Sequence, residues 1–484
     1  METLQPQILF RYFNEITKIP RPSKKEEKVI AYLEKFAADH NLPYKKDKVG
    51  NMVISKPATP GYENRKSIAL QAHMDMVCEK NSDVTFNFDT DPIQTKIEDG
   101  WLMAKGTTLG ADNGIGVAAA LAVLASDDLK HGPIEAFFTV DEETGMTGAM
   151  NIEENFIQSD ILLNLDSEDE GEIFIGCAGG MGTFAEFSYQ PAYADPTLVY
   201  LQVNVKGLRG GHSGGDIHVG LGNANKILAR YLYNLDHVVD EWTLAQITGG
   251  NLHNAIPREA FAVIGIPSSQ REEVARYTNE FAADIRNELH KVDPEVEVTI
   301  GTTEKPELAI DEYTKHNLIA ALVACPHGVQ GMSHEIEGLV ETSTNLASIK
   351  MKENYTILIE TSQRSSTESL KRAIGDTVTA VFDLAGAYTY ERDGYPGWAP
   401  DMNSEILKVA TQSYKDIFGK EPKVKAIHAG LECGLFKKKY PHLDMISFGP
   451  TMRDVHSPRE RLEIATVEMW WKHLVDVLEK APQK

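Results

Sequence analysis

The chain has 484 residues, which is more than one hydrophobic core usually organises, so we expect roughly two to four domains. Hydrophobic residues make up 42% of the chain and charged residues 25%, a composition that is typical of globular proteins and excludes extended disorder. The formal net charge of -23 disfavours broad contact with nucleic acid or anionic lipid, because like charges repel.

The first part of the chain alternates helices with apolar strands. Residues 8–40 carry the helical spacing of apolar positions, and apolar strands are predicted over 67–73, 134–140 and 161–165. A buried helix is predicted over 114–128, because the segment GIGVAAALAVLASDD is apolar along most of its length. This alternation predicts an α/β domain with helices around a mostly parallel sheet.

The middle of the chain has a different pattern of predicted strands and helices. Strand-like segments such as LVYLQVNVKGL and FAVIGIP are followed by amphipathic helices and further strands, which predicts an inserted α+β domain that we call the lid. A strand–helix–strand order occurs over 198–300 and again over 336–390. The lid can therefore be interpreted as a duplicated or enlarged unit, although no residue-level repeat supports this.

Glycines and prolines in DGYPGWAPD mark a boundary, after which strands and helices again alternate as in an α/β domain. The segments KVKAIHAGLECGLF and DMISFGP follow, and then a terminal helix from about residue 463. We therefore predict one catalytic domain in two parts, residues 1–184 and 393–484, interrupted by a lid domain at 185–392.

The sequence shows no sign of export or of membrane insertion. No apolar stretch reaches the roughly 18 residues of a membrane span, and METLQPQILFRYF lacks the charged-then-apolar order of a signal peptide. The four cysteines are widely separated and form no C-x-x-C pair, which fits reduced thiols. We expect a cytoplasmic protein with neither a membrane nor a nucleic-acid partner.

Three predicted strands end in side chains that can bind a metal ion. The segment SIALQAH ends at His73, and ILLNLDSED passes from apolar residues to Asp166. The third strand reaches Glu142 and Glu143 in FFTVDEETG, and Asp112 lies in the glycine-rich loop LGADNGIG. The carboxyl ends of strands in an α/β sheet border its ligand crevice, so these side chains can converge.

So many carboxylates packed without a cation would raise one another's pKa. A dinuclear centre resolves this conflict, because histidine and carboxylate ligands suit zinc and one carboxylate can bridge ions about 3.5–4 Å apart. Taken singly, Asp112 could instead cap a helix and Asp166 could begin a turn.

His73 and Asp75 point to the same side of a strand. His456 is the candidate second histidine, although spacing does not single it out among 15 histidines.

The motifs HMD, LGADNGIG, DEETGMTGA, LLNLDSED and RDVHSPRERL together resemble the M20 metallopeptidases. Their order and spacing are similar to those of the bacterial aminoacyl-histidine dipeptidases, from about residue 5 to residue 480. The resemblance implies a zinc-peptidase domain with two Zn²⁺ per chain, for which Co²⁺ or Mn²⁺ could substitute. The implied ligands are His73 and Asp166 for one ion, Glu143 and His456 for the other, and Asp112 for both.

The resemblance also implies catalytic roles. It makes Glu142 the general base, which takes a proton from water and returns it to the leaving amine, and it makes Asp75 the carboxylate that orients His73. The residue types alone do not rank Glu142 against Glu143. Because the two are neighbours, their side chains are expected to point in different directions.

Four further residues resemble substrate-binding groups of the family. His212, in GLRGGHSGGDIHVG, resembles a lid histidine that reaches the oxyanion, although the glycines equally describe a flexible loop. Asn254 and Arg364 resemble groups that hold the substrate carboxylate, a task that suits the arginine fork. Glu432, in HAGLECG, can pair with a substrate amine.

The implied activity is that of a di-zinc dipeptidase acting on unblocked dipeptides, including Xaa-His and β-alanyl-histidine. A tripeptidase activity and an N-acyl-amino-acid deacylase activity are the alternatives, because both need the same metal pair. From another class, GCAGGMGTF and GADNGIG leave a nucleotide- or ligand-binding protein as an alternative, but the first lacks the helix and ribose-binding acid that should follow. The expected partner is a small peptide, and a homodimer is compatible with the resemblance.

Overall fold

The computed structural model describes residues 1 and 3–484. Within them the chain forms twelve α-helices, 25 strands and two 3₁₀ helices, the latter at Ile217–Val219 and Ser268–Gln270. The α-helices are α1 (Gln7–Ile16), α2 (Glu27–Asp39), α3 (Ala111–Ala125), α4 (Glu142–Gly145), α5 (Thr147–Met150), α6 (Ala224–Leu235), α7 (Arg271–Leu289), α8 (Glu312–Ala324), α9 (Glu368–Leu384), α10 (Glu405–Phe418), α11 (Glu432–Lys439) and α12 (Ile464–Glu479).

The strands are β1 (Tyr44–Lys46), β2 (Met52–Lys56), β3 (Ile68–His73), β4 (Thr95–Glu98), β5 (Trp101–Ala104), β6 (Ile134–Thr139), β7 (Ile161–Asn164), β8 (Glu172–Cys177), β9 (Gly179–Ser188), β10 (Pro191–Tyr193), β11 (Leu198–Lys206), β12 (Gly211–His212), β13 (Thr243–Gly249), β14 (Ala255–Ile256), β15 (Ala260–Pro267), β16 (Glu297–Thr302), β17 (Leu308–Ile310), β18 (Gly328–Met332), β19 (Val340–Lys352), β20 (Thr356–Ser365), β21 (Tyr388–Tyr395), β22 (Lys423–Ile427), β23 (Asp444–Ser447), β24 (Met452–Arg453) and β25 (Arg461–Glu463).

The chain divides into two units. Unit 1 comprises Met1–Cys177, Trp398–Ala426 and Leu431–Lys484, and unit 2 comprises Ala178–Gly397 and Ile427–Gly430. The sequence places the divisions at 184/185 and 392/393, within strands β9 and β21. Both strands belong to the sheet of unit 2, and residues 178–184 and 393–397 lie in unit 2.

Unit 1 contains an eight-stranded sheet with the order β1-β2-β6-β3-β7-β23-β8-β22. Its central strands β6, β3, β7 and β23 are parallel, whereas β1, β2 and β8 pair antiparallel with their neighbours. The predicted α/β domain is confirmed, with the parallel arrangement confined to the centre of the sheet. Because β3 pairs in parallel with both β6 and β7, the carboxyl ends of these three strands lie at one edge.

Helices cover the parallel strands of unit 1. Every residue of β3 and of β7 is buried, as expected for strands covered on both faces. Helix α3 packs against β3 and α1, and α10 packs against β23. Almost all residues of α3 are buried, and its many alanines let the helix lie close to the sheet. This packed layer supports the edge at which the three strands end.

Unit 2 contains a nine-stranded antiparallel sheet with the order β16-β11-β15-β13-β19-β20-β9-β21, with β18 paired to β19. Helices α6, α7, α8 and α9 pack against its strands. Burial alternates along β11 and β13, as expected when helices cover one face of a sheet. The predicted α+β character of the insertion is confirmed. The two stretches that suggested a duplication contribute strands to this single sheet.

None of the helices formed by the described residues is long and apolar enough to cross a membrane.

Candidate metal centre

Five histidine and carboxylate side chains converge at the edge of unit 1 where the parallel strands end. His73 is the last residue of β3, Asp112 lies at the start of α3, Glu143 lies on α4, Asp166 follows β7, and His456 lies between β24 and β25. The loop that carries His456 is held by a four-stranded sheet with the order β24-β25-β5-β4. The convergence expected from the strand ends is therefore present.

The carboxylate of Asp112 lies between the two histidines. Its Oδ1 is 3.0 Å from Nε2 of His73, and its Oδ2 is 3.0 Å from Nε2 of His456. Nε2 of His73 is also 3.4 Å from Oδ1 of Asp166, and Nε2 of His456 is 3.0 Å from Oε2 of Glu143. The five side chains thus form two groups, each with one histidine and one carboxylate, that share Asp112.

The backbone at the start of α3 is irregular. Asp112 and Asn113 have non-helical φ/ψ values, and the peptide bond between them is cis. The Asn113 side chain donates one hydrogen bond to the carbonyl of Leu165 at 2.9 Å and another to Asp166 Oδ1. Asn113 therefore ties the loop that carries Asp112 to the segment that carries Asp166.

Asp75 lies behind His73 and is fully buried. Its Oδ1 is 3.3 Å from Nδ1 of His73, without the alignment of a hydrogen bond. Ser23 Oγ donates to Asp75 at 2.7 Å, and the backbone N–H groups of Glu142 and Glu143 donate at 3.1 and 3.2 Å. Burial raises the pKa of Asp75, but these hydrogen bonds and the charge of His73 outweigh it and lower the pKa to about 2.

Glu142 and Glu143 lie in the first turn of the short helix α4 rather than at a strand end. The Glu143 side chain is 4% exposed, and its Oε1 has no hydrogen-bond partner among the described residues. Burial raises the pKa of Glu142 well above its usual range, and the charges of Asp166 and Glu432 add to this although His73 opposes it. Glu142 can therefore hold a proton at a pH where an ordinary glutamate cannot.

The donor set fits divalent cations. The ligand atoms of His73, Asp112 and Glu143 all lie within 4.8 Å of one another. Burial raises the pKa of Asp166 to about 6, and the neighbouring carboxylates Asp112 and Glu143 add to this. A positive ion would relieve this repulsion and would also use the unpartnered Glu143 oxygen. Nitrogen and carboxylate donors are the ligands that zinc takes in proteins. This cluster can hold a metal ion.

Glu432 begins α11 in unit 1 and is 2% exposed. Its Oε2 accepts hydrogen bonds from Gln71 Nε2 at 2.7 Å and from Thr139 Oγ1 at 2.9 Å, both on strands that lead to the metal cluster. Its Oε1 is buried without a partner among the described residues. Burial, together with the charge of Asp166, raises the pKa of Glu432 to about 8. The predicted contact with a substrate amine stays a prediction.

Unit 2 brings together the other three residues predicted to bind substrate. Strand β12, which contains His212, pairs with β14, which directly follows Asn254. Arg364 lies on β20 and is 7% exposed. A Cβ atom added at Gly214 would lie 3.1 Å from Cε1 of His212 and 3.2 Å from Nε of Arg364, so these two side chains flank the glycine. Arg364 donates through Nη1 to the Tyr395 hydroxyl at 2.7 Å, and its Nε has no partner among the described residues.

The sequence prediction missed two residues close to Arg364, namely His428 and Ser343, the latter paired with Arg364 in the sheet. His428 and Ser343 share a hydrogen bond of 2.7 Å between Nε2 and Oγ. Burial lowers the pKa of His428 to about 3, and the charge of Arg364 lowers it further, so the imidazole stays neutral near neutral pH. His428 lies in the same HAGLECG segment as Glu432, but the chain passes from unit 2 to unit 1 between them.

The sequence prediction also missed Arg21, Ser23 and Glu460 in unit 1. Glu460 lies in the motif RDVHSPRERL, four residues after His456, so its position close to a ligand was a usable signal. Arg21 and Ser23 lie in the segment IPRPS, which carries no recognisable ligand spacing. Arg21 and Glu460 are each 2% exposed, and their contacts are described below.

Comparison with known proteins gives consistent similarities. Residues 69–480 match the family described as Peptidase family M20/M25/M40. The chain is 42% identical over 484 residues to the cytosol non-specific dipeptidase of Escherichia coli, an alignment that covers 100% of this chain and 99% of the relative.

Solved structures show the same relationship. The crystal structure of aminoacylhistidine dipeptidase from Vibrio alginolyticus superimposes with a TM-score of 0.94 at 44% identity, covering 100% of this chain and 98% of that one. A tripeptidase from Staphylococcus aureus superimposes with a TM-score of 0.57 at 16% identity, covering 99% of each chain. At 16% identity, the similarity to the tripeptidase shows a shared fold and no more.

Proposed function

The chain belongs to the peptidase family M20/M25/M40 and is a peptide hydrolase, and we propose that it is a dipeptidase whose hydrolytic centre is the metal cluster of unit 1. Asp112 carries this proposal, because its two oxygens each lie 3.0 Å from a different histidine. A carboxylate placed in this way is suited to bridge two cations.

We propose two Zn²⁺ ions per chain, with Co²⁺ or Mn²⁺ as substitutes. His73 and Asp166 would hold one ion, Glu143 and His456 the other, and Asp112 both. When bound, the ions would polarise the scissile carbonyl and lower the pKa of a water molecule from 15.7 toward about 7. The unpartnered Oε1 of Glu143 and the raised pKa of Asp166 support this assignment, since both are relieved by a cation.

Glu142 would act as general base and then as general acid. A carboxyl whose pKa is raised by burial can take a proton from the attacking water and pass it to the leaving amine near neutral pH. Asp75 would stay ionised and hold the orientation of His73, which supports a fixed tautomer in that ligand. Asp75 also accepts from the N–H of Glu142, so one carboxylate orients both a ligand and the base.

The proposed substrates are unblocked dipeptides, including Xaa-His and β-alanyl-histidine. The names of the Escherichia coli and Vibrio alginolyticus relatives support this choice. His212, Asn254 and Arg364 are proposed to bind the substrate, with Arg364 and Asn254 taking its carboxylate. The buried Arg364 Nε without a partner supports an anionic ligand. Glu432 is proposed to pair with the substrate amine, and its unpartnered Oε1 supports that role.

A small substrate series tests the proposal. We would compare kcat/KM for β-alanyl-histidine, its C-terminal amide, its N-acetyl form and the tripeptides extended at either end. We expect the free dipeptide to be preferred by at least about tenfold, equivalent to about 1.4 kcal/mol of transition-state stabilisation. Equal turnover of the N-acetyl form would indicate a deacylase, and preference for a tripeptide would indicate a tripeptidase.

Two controls keep the assay specific. Protein purified from a bacterial host can carry over the host's own peptidases, so E142Q prepared in parallel sets the background rate. Wild-type protein dialysed against a chelator should lose activity and recover it with Zn²⁺. Activity that neither control removes would contradict the proposed metal-dependent dipeptidase.

Cellular location and assembly are also proposals. The similarity to a cytosolic dipeptidase supports a cytoplasmic location. A homodimer stays a prediction, which sedimentation of the purified protein would check.

A further inference from the structure

Two buried charged residues, Arg21 and Glu460, hold the loop that carries Asp112. Each is 2% exposed, and neither belongs to the ligand or catalytic sets assigned above. Burying a guanidinium and a carboxylate is costly unless their hydrogen bonds are satisfied. Most of these bonds go to the backbone of residues 109–112, the loop that carries Asp112.

The Glu460 carboxylate accepts hydrogen bonds from four consecutive backbone N–H groups. The donors are Leu109 at 2.7 Å, Gly110 at 2.9 Å, Ala111 at 2.7 Å and Asp112 at 3.3 Å. Hydrogen bonds to an ionised acceptor are stronger than neutral ones. Because Glu460 lies four residues after His456, these bonds also connect the loop of His456 to the loop of Asp112.

Arg21 holds the same loop through the carbonyl group of Gly110. Its Nη2 donates to the carbonyl of Gly110, and its Nη1 donates to the carbonyls of Met74 at 3.0 Å and Asp75 at 2.5 Å. Gly110 has a φ of +69°, and a Cβ atom there would lie 2.6 Å from Nη2, so the close approach requires glycine. Arg21 therefore connects the Asp112 loop to the segment that follows His73.

Together the two residues fix Asp112 relative to both histidines. Arg21 joins the loop to the end of β3, and Glu460 joins it to the segment of His456. We propose that Arg21 and Glu460 are positioning residues that hold Asp112 where both of its oxygens can bind metal. This inference rests on the proposed metal-dependent function and assigns neither residue a contact with metal or substrate.

Zinc affinity tests this role without any substrate. Purified metal-free protein is titrated with Zn²⁺ in competition with a chromophoric chelator at 25 °C, and circular dichroism verifies folding. E460Q replaces one acceptor oxygen with an amide that faces backbone donors, and R21K keeps the charge but loses the fork that reaches three carbonyls. We expect each variant to bind at least one Zn²⁺ about 10–100-fold more weakly than wild type.

Matched substitutions serve as controls. E463Q removes a carboxylate three residues from Glu460 that makes no bond to the Asp112 loop, and R11K changes an exposed arginine on α1. Both should keep wild-type zinc affinity. If E460Q does not fold, R21K alone carries the test, because it retains the buried charge.

The outcomes separate this inference from the proposed function. Folded E460Q and R21K that bind both ions with wild-type affinity would overturn the positioning role, even if their thermal stability is reduced, because a purely structural pair would affect only stability. A wild-type chain that binds no zinc would overturn the proposed function and this inference with it. Weakened binding in both variants, with unchanged controls, supports the inference.

Discussion

Nε2 of His456 lies 3.0 Å from Oδ2 of Asp112, although 344 residues separate the two in the chain. The other Asp112 oxygen faces His73, so one carboxylate contacts two histidines that lie in different segments of unit 1. The loss of either oxygen as a ligand should therefore affect one half of the centre more than the other.

Substitution of Asp112 by asparagine should lower the metal content. D112N keeps the shape of the side chain but leaves a single acceptor oxygen, so it cannot bridge two cations. We expect elemental analysis to give about two Zn²⁺ per wild-type chain and one or none for D112N. D127N, at an exposed position just after the end of α3, is the matched control. Two ions per chain in D112N at wild-type affinity would contradict the bridging role.

Glutamine at position 142 and at position 143 should have different effects. E142Q leaves every proposed ligand in place, so it should keep its zinc but lose about 10²–10⁴-fold in kcat. E143Q removes a carboxylate that lies 3.0 Å from His456 Nε2, so it should lose zinc affinity as well as activity. Metal titration and steady-state kinetics on both variants check this. If E142Q is the variant that loses zinc, the two roles should be exchanged.

Arg364 should determine whether the enzyme detects the substrate carboxylate. R364A should raise KM for a free dipeptide and remove the penalty for C-terminal amidation, because the guanidinium has no anion to bind in the amide. Y395F removes the hydroxyl that lies 2.7 Å from Nη1, so it should cause a smaller change in the same direction. R392A, on the same strand as Tyr395, is the control. An amidation penalty that persists in R364A would move carboxylate recognition elsewhere.

Buried His473 should make the protein less stable in acid. Its Nε2 donates to the Ala410 carbonyl at 2.8 Å, and burial lowers its pKa to about 4. Since the unfolded pKa is about 6.5, the stability contributed by the neutral ring is complete above that pH and is lost as the pH falls toward 4. From pH 7 to pH 5 this amounts to about 2 kcal/mol.

Denaturant unfolding of metal-free protein at both pH values measures this effect. H473Q keeps an N–H donor but cannot titrate, so wild type should lose about 2 kcal/mol more than H473Q between pH 7 and pH 5. H442Q, at an exposed position, controls for the replacement of an imidazole elsewhere in the chain. Equal losses in wild type and H473Q would show that folding does not lower the pKa of His473.

Local sequence was sufficient for the elements that form the centre of unit 1. The strands predicted over 67–73, 134–140 and 161–165 correspond to β3, β6 and β7, because continuous apolar runs of this length are buried on both faces. The helix predicted over 114–128 begins earlier, at Ala111, because its first residues have irregular φ/ψ values that apolar periodicity does not detect. The residues predicted as ligands stood out because each follows an apolar run or lies in a distinctive motif.

Local sequence did not predict which segments belong to which unit. The sequence of strand β9, GGMGTFAEFS, does not show to which unit the strand belongs, and its pairing with β20 and β21 assigns it to unit 2. The same is true of His428, which lies in unit 2 although unit 1 resumes at Leu431. Pairing partners depend on long-range contacts, which periodicity does not encode.

By itself the sequence determined which residue types end the buried strands and, through its motifs, which family the chain resembles. The tertiary structure alone decided that Asp112 lies between His73 and His456, and that Arg21 and Glu460 hold its loop. The physical reason is that strand and helix patterns arise from neighbours a few residues apart. The position of a carboxylate within 3.0 Å of two histidines depends on backbone hydrogen bonds between segments hundreds of residues apart.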